Sequence, residues 1–362
     1  MTRSHVLVAM SGGVDSSVAA LLLQRQGYDV IGFTAELFGN TSAAGPCCGR
    51  AGIEAARAVC GQLGIPHYVA NLCDAFEESV IKRFISEYRA GRTPNPCTDC
   101  NRFIKFDLFF EVAQSFGCDF VATGHHARIM AQEKQDGSNV LRRGVDPDKD
   151  QSYFLACIKP EKLNNLLFPV GEYAKPQVRE IATEAGLPTA AREESQDICF
   201  MPSGTGVAEL LSWHLDDPPQ PGPIIDEQGH VIGKHPGVEH FTIGQRSGLK
   251  LGGGSEGLVV HKLLPDTNTV IVAKHNAHPV GRLVLSDFTD LAPGLWISGE
   301  RLDVRGRYRQ PTWGAIVYSE GQRASVLPEG EQYCLAPGQW VVGYQDDIVT
   351  CGGIIDSIEY LK

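Results

Sequence analysis

The sequence predicts an α/β protein with an N-terminal parallel-sheet domain, a small β-rich middle module and a C-terminal β-barrel-like domain. In the first half of the chain, short apolar runs alternate with stretches of helical periodicity, a pattern typical of strands connected by helices. After the Pro- and Gly-rich stretch Asp216–Pro223, helical periodicity largely disappears and short β-rich runs separated by turns replace it. We therefore place the domains at residues 1–205, 206–278 and 279–362.

Each expected element follows from one of these runs. The strands expected in the parallel sheet are residues 5–10, 28–35, 66–71 and 118–123. The helices expected from apolar positions three or four apart are residues 14–26, 50–63, 74–89, 102–116 and 176–186. The strands expected in the second half include Gly257–Lys262, Thr269–Ala273, Thr312–Tyr318, Gly338–Tyr344 and Gly352–Ile358. In open parallel sheets ligands bind at the carboxyl ends of the strands, so we look for the site there.

The segment Ser11–Ser16 reads SGGVDS and connects the first expected strand to the first expected helix. Glycine lets the backbone turn tightly there, and the helix N-terminus behind it offers unpaired N–H groups to an anion. The turn therefore predicts a phosphate cradle, although an ordinary Gly- and Ser-rich turn is the alternative. The Walker pattern does not occur in the chain, and the SGGVDS turn does not match G-x-G-x-x-G. SGGVDS resembles the PP-loop, set in a Rossmann-like sheet, of ATP pyrophosphatases, which cleave ATP between the α and β phosphates.

Composition restricts the class of protein further. The 362 residues suffice for two or three domains, and no apolar run reaches the length of a membrane span. The N-terminus lacks the plan of a signal peptide, so we expect a cytoplasmic protein with no membrane partner. The net charge of −11 argues against a protein that coats nucleic acid non-specifically, and no DNA partner is expected. Eleven cysteines in such a protein indicate catalysis, metal binding or packing rather than disulfide staples.

Four arginines alternate in sequence near residue 305. If these arginines lie on one strand, they share one face of it, where their like charges would repel each other. An anionic partner that binds this face is then at least as good an interpretation as a face exposed to solvent. The four are Arg301, Arg305, Arg307 and Arg309.

Cys97 and Cys100 lie in the segment AGRTPNPCTDCNRFIKF. The prolines before them disfavour helix, so both thiols are expected on a loop that leads into a helix near Arg102, with Asn101 as its N-cap. A thiol near a helix N-terminus has a lowered pKa, and Arg102 and Lys105 would add positive charge. A zinc half-site or a redox pair are the alternatives, but no second C-x-x-C completes a zinc site.

A third cysteine, Cys199, follows the polar run EESQD, which is unlike a core segment. The alternative for a lone cysteine is an inert buried residue. Cys47 and Cys48 lie in the small-residue loop Gly39–Gly49, a candidate lid over the nucleotide.

Seven motifs in the same order resemble the tRNA-uridine 2-sulfurtransferase family, also called the MnmA family, over nearly the full chain. They are SGGVDS, GRTPNP…CN…IKF, ATGH at 122–125, KDQSYFL at 149–155, SQDICF at 195–200, FTIGQR at 241–246 and GRYRQ at 306–310.

This resemblance implies an enzyme that uses ATP with Mg²⁺ to convert the C2 carbonyl of uridine 34 to a thiocarbonyl in tRNAs for Lys, Glu and Gln. Position 35 would lie beside the adenine, where the family usually has a larger apolar residue. The implied nucleotide-binding residues are Ala9, Met10, Ser11, Gly12, Gly13, Val14, Asp15, Ser16, Ala35 and Gly124.

The resemblance also implies the sulfur chemistry. Cys199 would carry a persulfide received from a sulfur-relay donor protein, and Cys100 would be the partner nucleophile that forms a transient disulfide with Cys199. Many members of the family have Asp where this chain has Cys97. Three thiolates can hold a [4Fe–4S] cluster with one iron open, so a cluster on Cys97, Cys100 and Cys199 is the competing route.

The implied contacts with tRNA include residues around the target base and others in the C-terminal domain. For His125, a hydrogen-bonded core histidine is the alternative reading. Two other functions compete: a PP-loop ligase or amidotransferase, which would not need the two thiols, and a zinc-stabilised RNA-binding module. The implied tRNA contacts are Asn95, Pro96, Cys97, His125, Lys149, Asp150, Gln151, Arg307, Tyr308 and Gln339.

Overall fold

The computed structural model describes residues 3–38, 49–131, 138–193, 198–201, 206–214, 219–249, 251 and 257–361. Cys47 and Cys48, most of the candidate lid, and residues 195–197 of the SQDICF motif lie outside these residues.

The elements alternate in the first half, as expected, and are almost entirely strands in the second. The helices are α1 Val14–Arg25, α2 Arg50–Leu63, α3 at 73–89, α4 at 96–115, α5 Lys175–Glu184 and α6 Val207–His214. The first strands are β1 His5–Ala9, β2 Asp29–Glu36, β3 His67–Asn71, β4 Phe120–Ala122, β5 Ala127–Ala131, β6 Asn139–Arg143 and β7 Leu166–Leu167. The remaining strands are β8 Gly222–Ile225, β9 Val231–His235, β10 Leu258–Leu264, β11 Thr269–Lys274, β12 Val280–Asp290, β13 Glu300–Arg305, β14 Trp313–Glu320, β15 Arg323–Pro328, β16 Trp340–Gln345 and β17 Ile348–Tyr360.

The N-terminal domain is a five-stranded parallel sheet in the order β3-β2-β1-β4-β7. Alternate residues of β1 face opposite sides of the sheet and are fully buried. Val6 and Val8 pack with α1, α2 and α5, whereas Leu7 packs with α3 and α4. The sheet is therefore covered by helices on both faces, which confirms the expected class of this domain.

The start of α4 differs from expectation. The helix begins at Pro96 rather than near Arg102, because Asn95 caps it by accepting a hydrogen bond from the Cys97 amide at 3.2 Å. Proline suits this position, since the first helical residue needs no N–H partner. Asn101 is therefore not an N-cap but lies within the helix, and its side chain donates to the Phe154 carbonyl at 3.0 Å. The expected placement of Cys97 and Cys100 on a loop was wrong, because both residues belong to the first turns of α4.

The second half contains two separate β-structures. Strands β8–β11 form a small sheet in the order β10-β11-β8-β9, and six strands from β12 to β17 form a barrel closed by pairing of β12 with β17. The hairpin β5–β6, contributed by the first half of the chain, extends the barrel sheet where Arg142 pairs with Ile348. These findings confirm the expected order of domain types, while the exact limits of the three domains stay a prediction. Among the described residues, no helix is both long and apolar enough to cross a bilayer.

A buried hydrogen bond connects the first half of the chain to the barrel. The Tyr153 hydroxyl donates to the Trp340 carbonyl at 2.9 Å, and both side chains are almost fully buried. Close packing of Gly352 against Ala156 continues this contact, since a Cβ on Gly352 would approach the Ala156 Cβ to 2.8 Å. The barrel thus contacts both the KDQSYFL motif, through Tyr153, and the residue that follows it, Ala156.

Tyr153→Phe should lower the free energy of unfolding by about 1–2 kcal/mol, because it removes a donor from a buried carbonyl without creating a large cavity. Urea denaturation followed by tryptophan fluorescence would measure the change. Tyr318→Phe is the matched control, since Tyr318 is half-exposed on the barrel. Equal midpoints for the two variants would contradict a stabilising role for this bond.

Candidate active site

A cavity of about 330 Å³ opens at the carboxyl ends of β1, β2 and β4. It brings together most residues that the sequence analysis assigned to the nucleotide and to sulfur transfer. From the nucleotide set, the lining includes Ala9, Met10, Ser11, Gly13, Asp15, Ser16, Ala35 and Gly124. From the base and sulfur sets, it includes Pro96, Cys97, Cys100, His125, Gln151 and Cys199.

The SGGVDS turn is shaped by backbone that leaves no room for side chains. Gly12 has a positive φ of 75°, and a Cβ on it would lie 2.3 Å from the Gly52 carbonyl oxygen. A Cβ on Gly124, in the turn after β4, would lie 2.6 Å from the Ser16 amide. Gly13 precedes α1 without a side-chain cap, so the first amides of the helix are left for another acceptor. Gly12 itself, like Val14, shapes the turn without lining the cavity.

Asp15 forms an ion pair that the sequence analysis missed. Lys175 is only 6% exposed, and its ammonium lies 2.7 Å from both Asp15 carboxylate oxygens; the His126 Nε2 lies 3.2 Å from one of them. Burial opposes ionisation of Asp15, but the His126 hydrogen bond and the Lys175 charge outweigh it and hold the Asp15 pKa below its usual value. The only signal for Lys175 is its place just before the expected helix 176–186, which does not reveal that the N-terminus of this helix lies beside the SGGVDS turn.

Three thiols face the cavity from two directions. Cys97 and Cys100 come from the first turns of α4, and Cys199 comes from the described segment 198–201. Burial raises the pKa of Cys100 to about 12. Cys97 is exposed on the cavity wall, and desolvation by the surrounding protein raises its pKa to about 11. The expected lowering of these pKa values was therefore wrong, because desolvation exceeds the effect of the helix N-terminus and of nearby positive charge.

Lys105 is the only lysine or arginine among the described residues that line this cavity. Its charge lowers the pKa of both Cys97 and Cys100, against the larger effect of burial. Arg102, the other cation expected there, is instead paired with Asp287 of the barrel at 2.8 Å.

His125 forms part of the cavity wall as a buried, hydrogen-bonded histidine. Its Nδ1 lies 2.6 Å from the Thr123 hydroxyl, and its Nε2 lies 3.4 Å from the Lys105 ammonium. Burial, followed by the Lys105 charge, holds its pKa well below the usual value, so the ring is neutral at physiological pH. His125 therefore presents a polar atom to the cavity without adding charge.

The three thiols do not form a ready metal site. In the described parts of the chain, no three side chains of His, Cys, Asp or Glu come close enough together to hold a metal ion. The [4Fe–4S] alternative on Cys97, Cys100 and Cys199 is therefore not supported.

Several expected tRNA contacts lie outside the cavity and are already engaged. Asp150 is buried, and it accepts hydrogen bonds from the Gly144 and Ser152 amides at 3.1 and 3.0 Å. The Gln339 side chain donates to the Thr93 carbonyl at 2.7 Å. Asn95 and Lys149 also lie outside it, the first as the cap of α4.

The arginine row does not share one strand face, contrary to expectation. Strand β13 ends at Arg305, so Arg307 and Arg309 lie beyond it. The Arg307 guanidinium donates to the carbonyls of Ile243, at 2.9 Å, and Cys334, and burial lowers its pKa. The neighbouring Tyr308 ring packs 4.3 Å from the ring of Phe154, which lines the cavity.

Comparison with known proteins gives one consistent family. The chain matches three family models in succession: the tRNA methyl transferase HUP domain over residues 4–203, the tRNA methyl transferase PRC-barrel domain over 210–274, and the aminomethyltransferase beta-barrel domain over 292–355. The tRNA-specific 2-thiouridylase MnmA of Clostridium perfringens is 40% identical over 363 residues, covering 99% of this chain and 100% of that protein. The proteins of the same name from Acetivibrio thermocellus and Methylorubrum extorquens are 39% and 42% identical, over 98% and 99% of this chain and 100% and 95% of theirs. The chain therefore belongs to the MnmA family of tRNA-specific 2-thiouridylases.

Proposed function

We propose that this protein is an ATP-dependent sulfurtransferase that replaces the C2 oxygen of uridine 34 by sulfur in tRNAs for Lys, Glu and Gln. The observation that carries the proposal is that one cavity joins the SGGVDS turn to Cys97, Cys100 and Cys199. Sulfur can replace the activated oxygen only if the nucleotide and the sulfur-carrying thiol reach the same part of the base. The names of the relatives support the same substrate class.

The nucleotide makes the uracil oxygen a leaving group. An oxygen bound to carbon by a double bond departs poorly, whereas the same oxygen bonded to the α-phosphate of AMP departs with that phosphate. In this proposal, the uracil O2 attacks the α-phosphate of ATP and pyrophosphate leaves. The uncapped amides of α1 would bind the pyrophosphate, and the Lys175 ammonium would supply the positive charge that the turn itself lacks.

Magnesium would reach the site with ATP. Near the turn, the only carboxylate among the described residues that line the cavity is that of Asp15, and Lys175 already engages both of its oxygens. This donor set does not fit a resident metal ion.

Sulfur transfer then follows as a balanced exchange. The terminal sulfur of a Cys199 persulfide attacks C2 of the adenylated base, the C–O bond breaks, and AMP leaves with the oxygen. The Cys100 thiolate next attacks the Cys199 sulfur, and the S–S electron pair passes to the sulfur on C2, which becomes the thiocarbonyl. A Cys100–Cys199 disulfide remains, and a thiol reductant must return both residues to thiols before a donor protein reloads Cys199.

The tRNA would present its base to the same cavity. Pro96, Cys97, His125 and Gln151 line it, which supports their assignment to the target base. Tyr308, packed on Phe154 at the edge of the cavity, is placed to stack on a neighbouring base. Asn95, Lys149, Asp150, Arg307 and Gln339 remain proposed contacts of the family whose side chains lie outside the cavity.

The three thiols also discriminate against the competing functions. A ligase or amidotransferase with a PP-loop has no use for thiols beside the nucleotide. Two of the family descriptions contain the words "methyl transferase". Methyl transfer likewise needs no ATP-binding turn beside paired thiols. The cavity therefore favours thiolation over both.

Cys199→Ser should abolish 2-thiouridine formation but leave ATP-dependent pyrophosphate release in the first turnover, because activation of the base precedes its meeting with sulfur. Nucleoside mass spectrometry and a single-turnover pyrophosphate assay would measure the two steps. Cys118→Ser, at a half-buried thiol that does not line the cavity, is the control and should retain both activities. Normal thiolation by Cys199→Ser would refute the persulfide role.

Lys175→Met should reduce ATP-dependent pyrophosphate release at least about tenfold, because it removes the ammonium that pairs with Asp15 beside the SGGVDS turn. Removing that charge should also raise the pKa of Asp15. As the pH falls, Asp15 of the variant should therefore become protonated, and the residual activity should be lost, at a higher pH than in the unaltered protein. Lys162→Met, which breaks an ion pair with Asp107 away from the cavity, is the matched control. Similar rates for the two variants would contradict the phosphate role of Lys175.

Lys105→Met should slow alkylation of Cys97 by iodoacetamide several-fold at each pH between neutral and about 9, because only the thiolate reacts and the thiolate has lost its nearby cation. In both proteins the rate should still rise about tenfold per pH unit, since the pKa lies above this range. Peptide mass spectrometry would follow the reaction. Lys105→Arg should retain most of the rate, and an unchanged rate in Lys105→Met would show that Lys105 does not act on the thiol.

A further inference from the structure

The arginines of β13 differ in how their charges are used. Arg301 is neutralised, because its guanidinium lies 2.8 Å from Glu329 and 3.2 Å from Asp303. Arg305, four residues along the same strand, has no carboxylate partner among the described residues. Its Nη1 makes a long contact of 3.4 Å with the Tyr308 carbonyl, and its Nε is buried without a hydrogen-bond partner.

A second arginine with the same property comes from the hairpin that joins the barrel. Arg143, at the end of β6, lies over the Tyr344 ring with its guanidinium carbon 4.0 Å from the ring centre. Its Nε is also buried without a partner. The neighbouring Arg128 and Arg142 both pair with Asp347, at 2.6 and 3.2 Å, whereas Arg143 pairs with no carboxylate of the described chain.

Both guanidinium groups thus share one aromatic ring, since that of Arg305 lies 5.7 Å from the centre of Tyr344. The carboxylate of Asp150 is close to this ring, but its oxygens already accept hydrogen bonds from Gly144 and Ser152. Two like charges repel, and buried N–H groups without acceptors cost free energy. In a chain with 43 acidic residues, this pair without an acidic partner indicates an anion supplied from outside.

The pair is connected to the cavity by direct contacts. Arg305 contacts the Tyr308 carbonyl, the Tyr308 ring packs 4.3 Å from the Phe154 ring, and Phe154 lines the same cavity as Cys97. A nucleotide whose base enters the cavity would therefore carry its flanking backbone towards Arg305 and Arg143. Guanidinium groups suit this role because their fork of donors matches two phosphate oxygens.

We propose that Arg143 and Arg305, held over the Tyr344 ring, form a binding site for a backbone phosphate of the RNA next to the target nucleotide. This inference rests on the proposed function, since it takes RNA as the substrate. The site draws one arginine from each side of the junction between the hairpin and the barrel, so it exists only when the two are assembled.

The test compares tRNA binding by Arg143→Gln, Arg305→Gln and the control Arg301→Gln over a series of KCl concentrations. Each of the first two variants should bind about 5- to 10-fold more weakly at low salt, and the slope of log affinity against log salt should fall by about 0.7–0.9 for the one lost phosphate contact. Arg301→Gln should bind as the unaltered protein does, because its charge is already neutralised on the same strand.

Further variants and probes separate the possible failures. Arg143→Lys and Arg305→Lys should keep the salt slope but lose part of the affinity, so they test the site even if the glutamine variants unfold. Excess inorganic phosphate should compete weakly with an anticodon-arm RNA at the unaltered site; strong competition would identify a free-phosphate site instead and overturn the proposal. If the unaltered protein does not bind tRNA, the proposed function fails. If it does, and all the folded arginine variants bind equally well, only this inference is overturned.

Discussion

The site depends on the close approach of two backbone turns at the ends of neighbouring parallel strands. Gly124, after β4, packs so tightly against Ser16 and Asp15 that no side chain fits between them. This contact fixes the SGGVDS turn against the ATGH turn and brings His126 to Asp15. Pairing of β1 with β4 makes the approach possible, because parallel strands end at the same edge of a sheet.

On the opposite side of the cavity, burial and charge act against each other on the thiols. Packing of α4 on the sheet places Cys97 and Cys100 in one cavity with the SGGVDS turn, but desolvation by the surrounding protein keeps both thiols protonated at neutral pH. A protonated thiol neither reacts prematurely nor binds metal readily. Among the described residues that line the cavity, Lys105 is the single lysine or arginine; its charge partly offsets this effect and is opposite in sign to that of Asp15.

The barrel contributes to the site through its junction with the first half of the chain. Tyr153 bonds to Trp340 inside that junction, and the hairpin β5–β6 pairs with β17 at its edge. A row of side chains runs from Phe154 through Tyr308 to Arg305 and Arg143. These residues are brought into contact only because the two surfaces meet. The separate domains are therefore parts of one substrate-binding surface in the proposed function.

The sequence by itself determined the strand–helix alternation, the SGGVDS turn and the three cysteines, because periodicity and glycine placement are local properties. It did not reveal the start of α4, since Asn95 is as good a cap as Asn101 and only packing selects between them. It also missed Lys175, which lies 160 residues from Asp15. The predicted lowering of the thiol pKa values was wrong for the same reason, because segments distant in the sequence decide how strongly the thiols are desolvated. Contacts between remote residues, and the desolvation they cause, are settled only when the chain has folded.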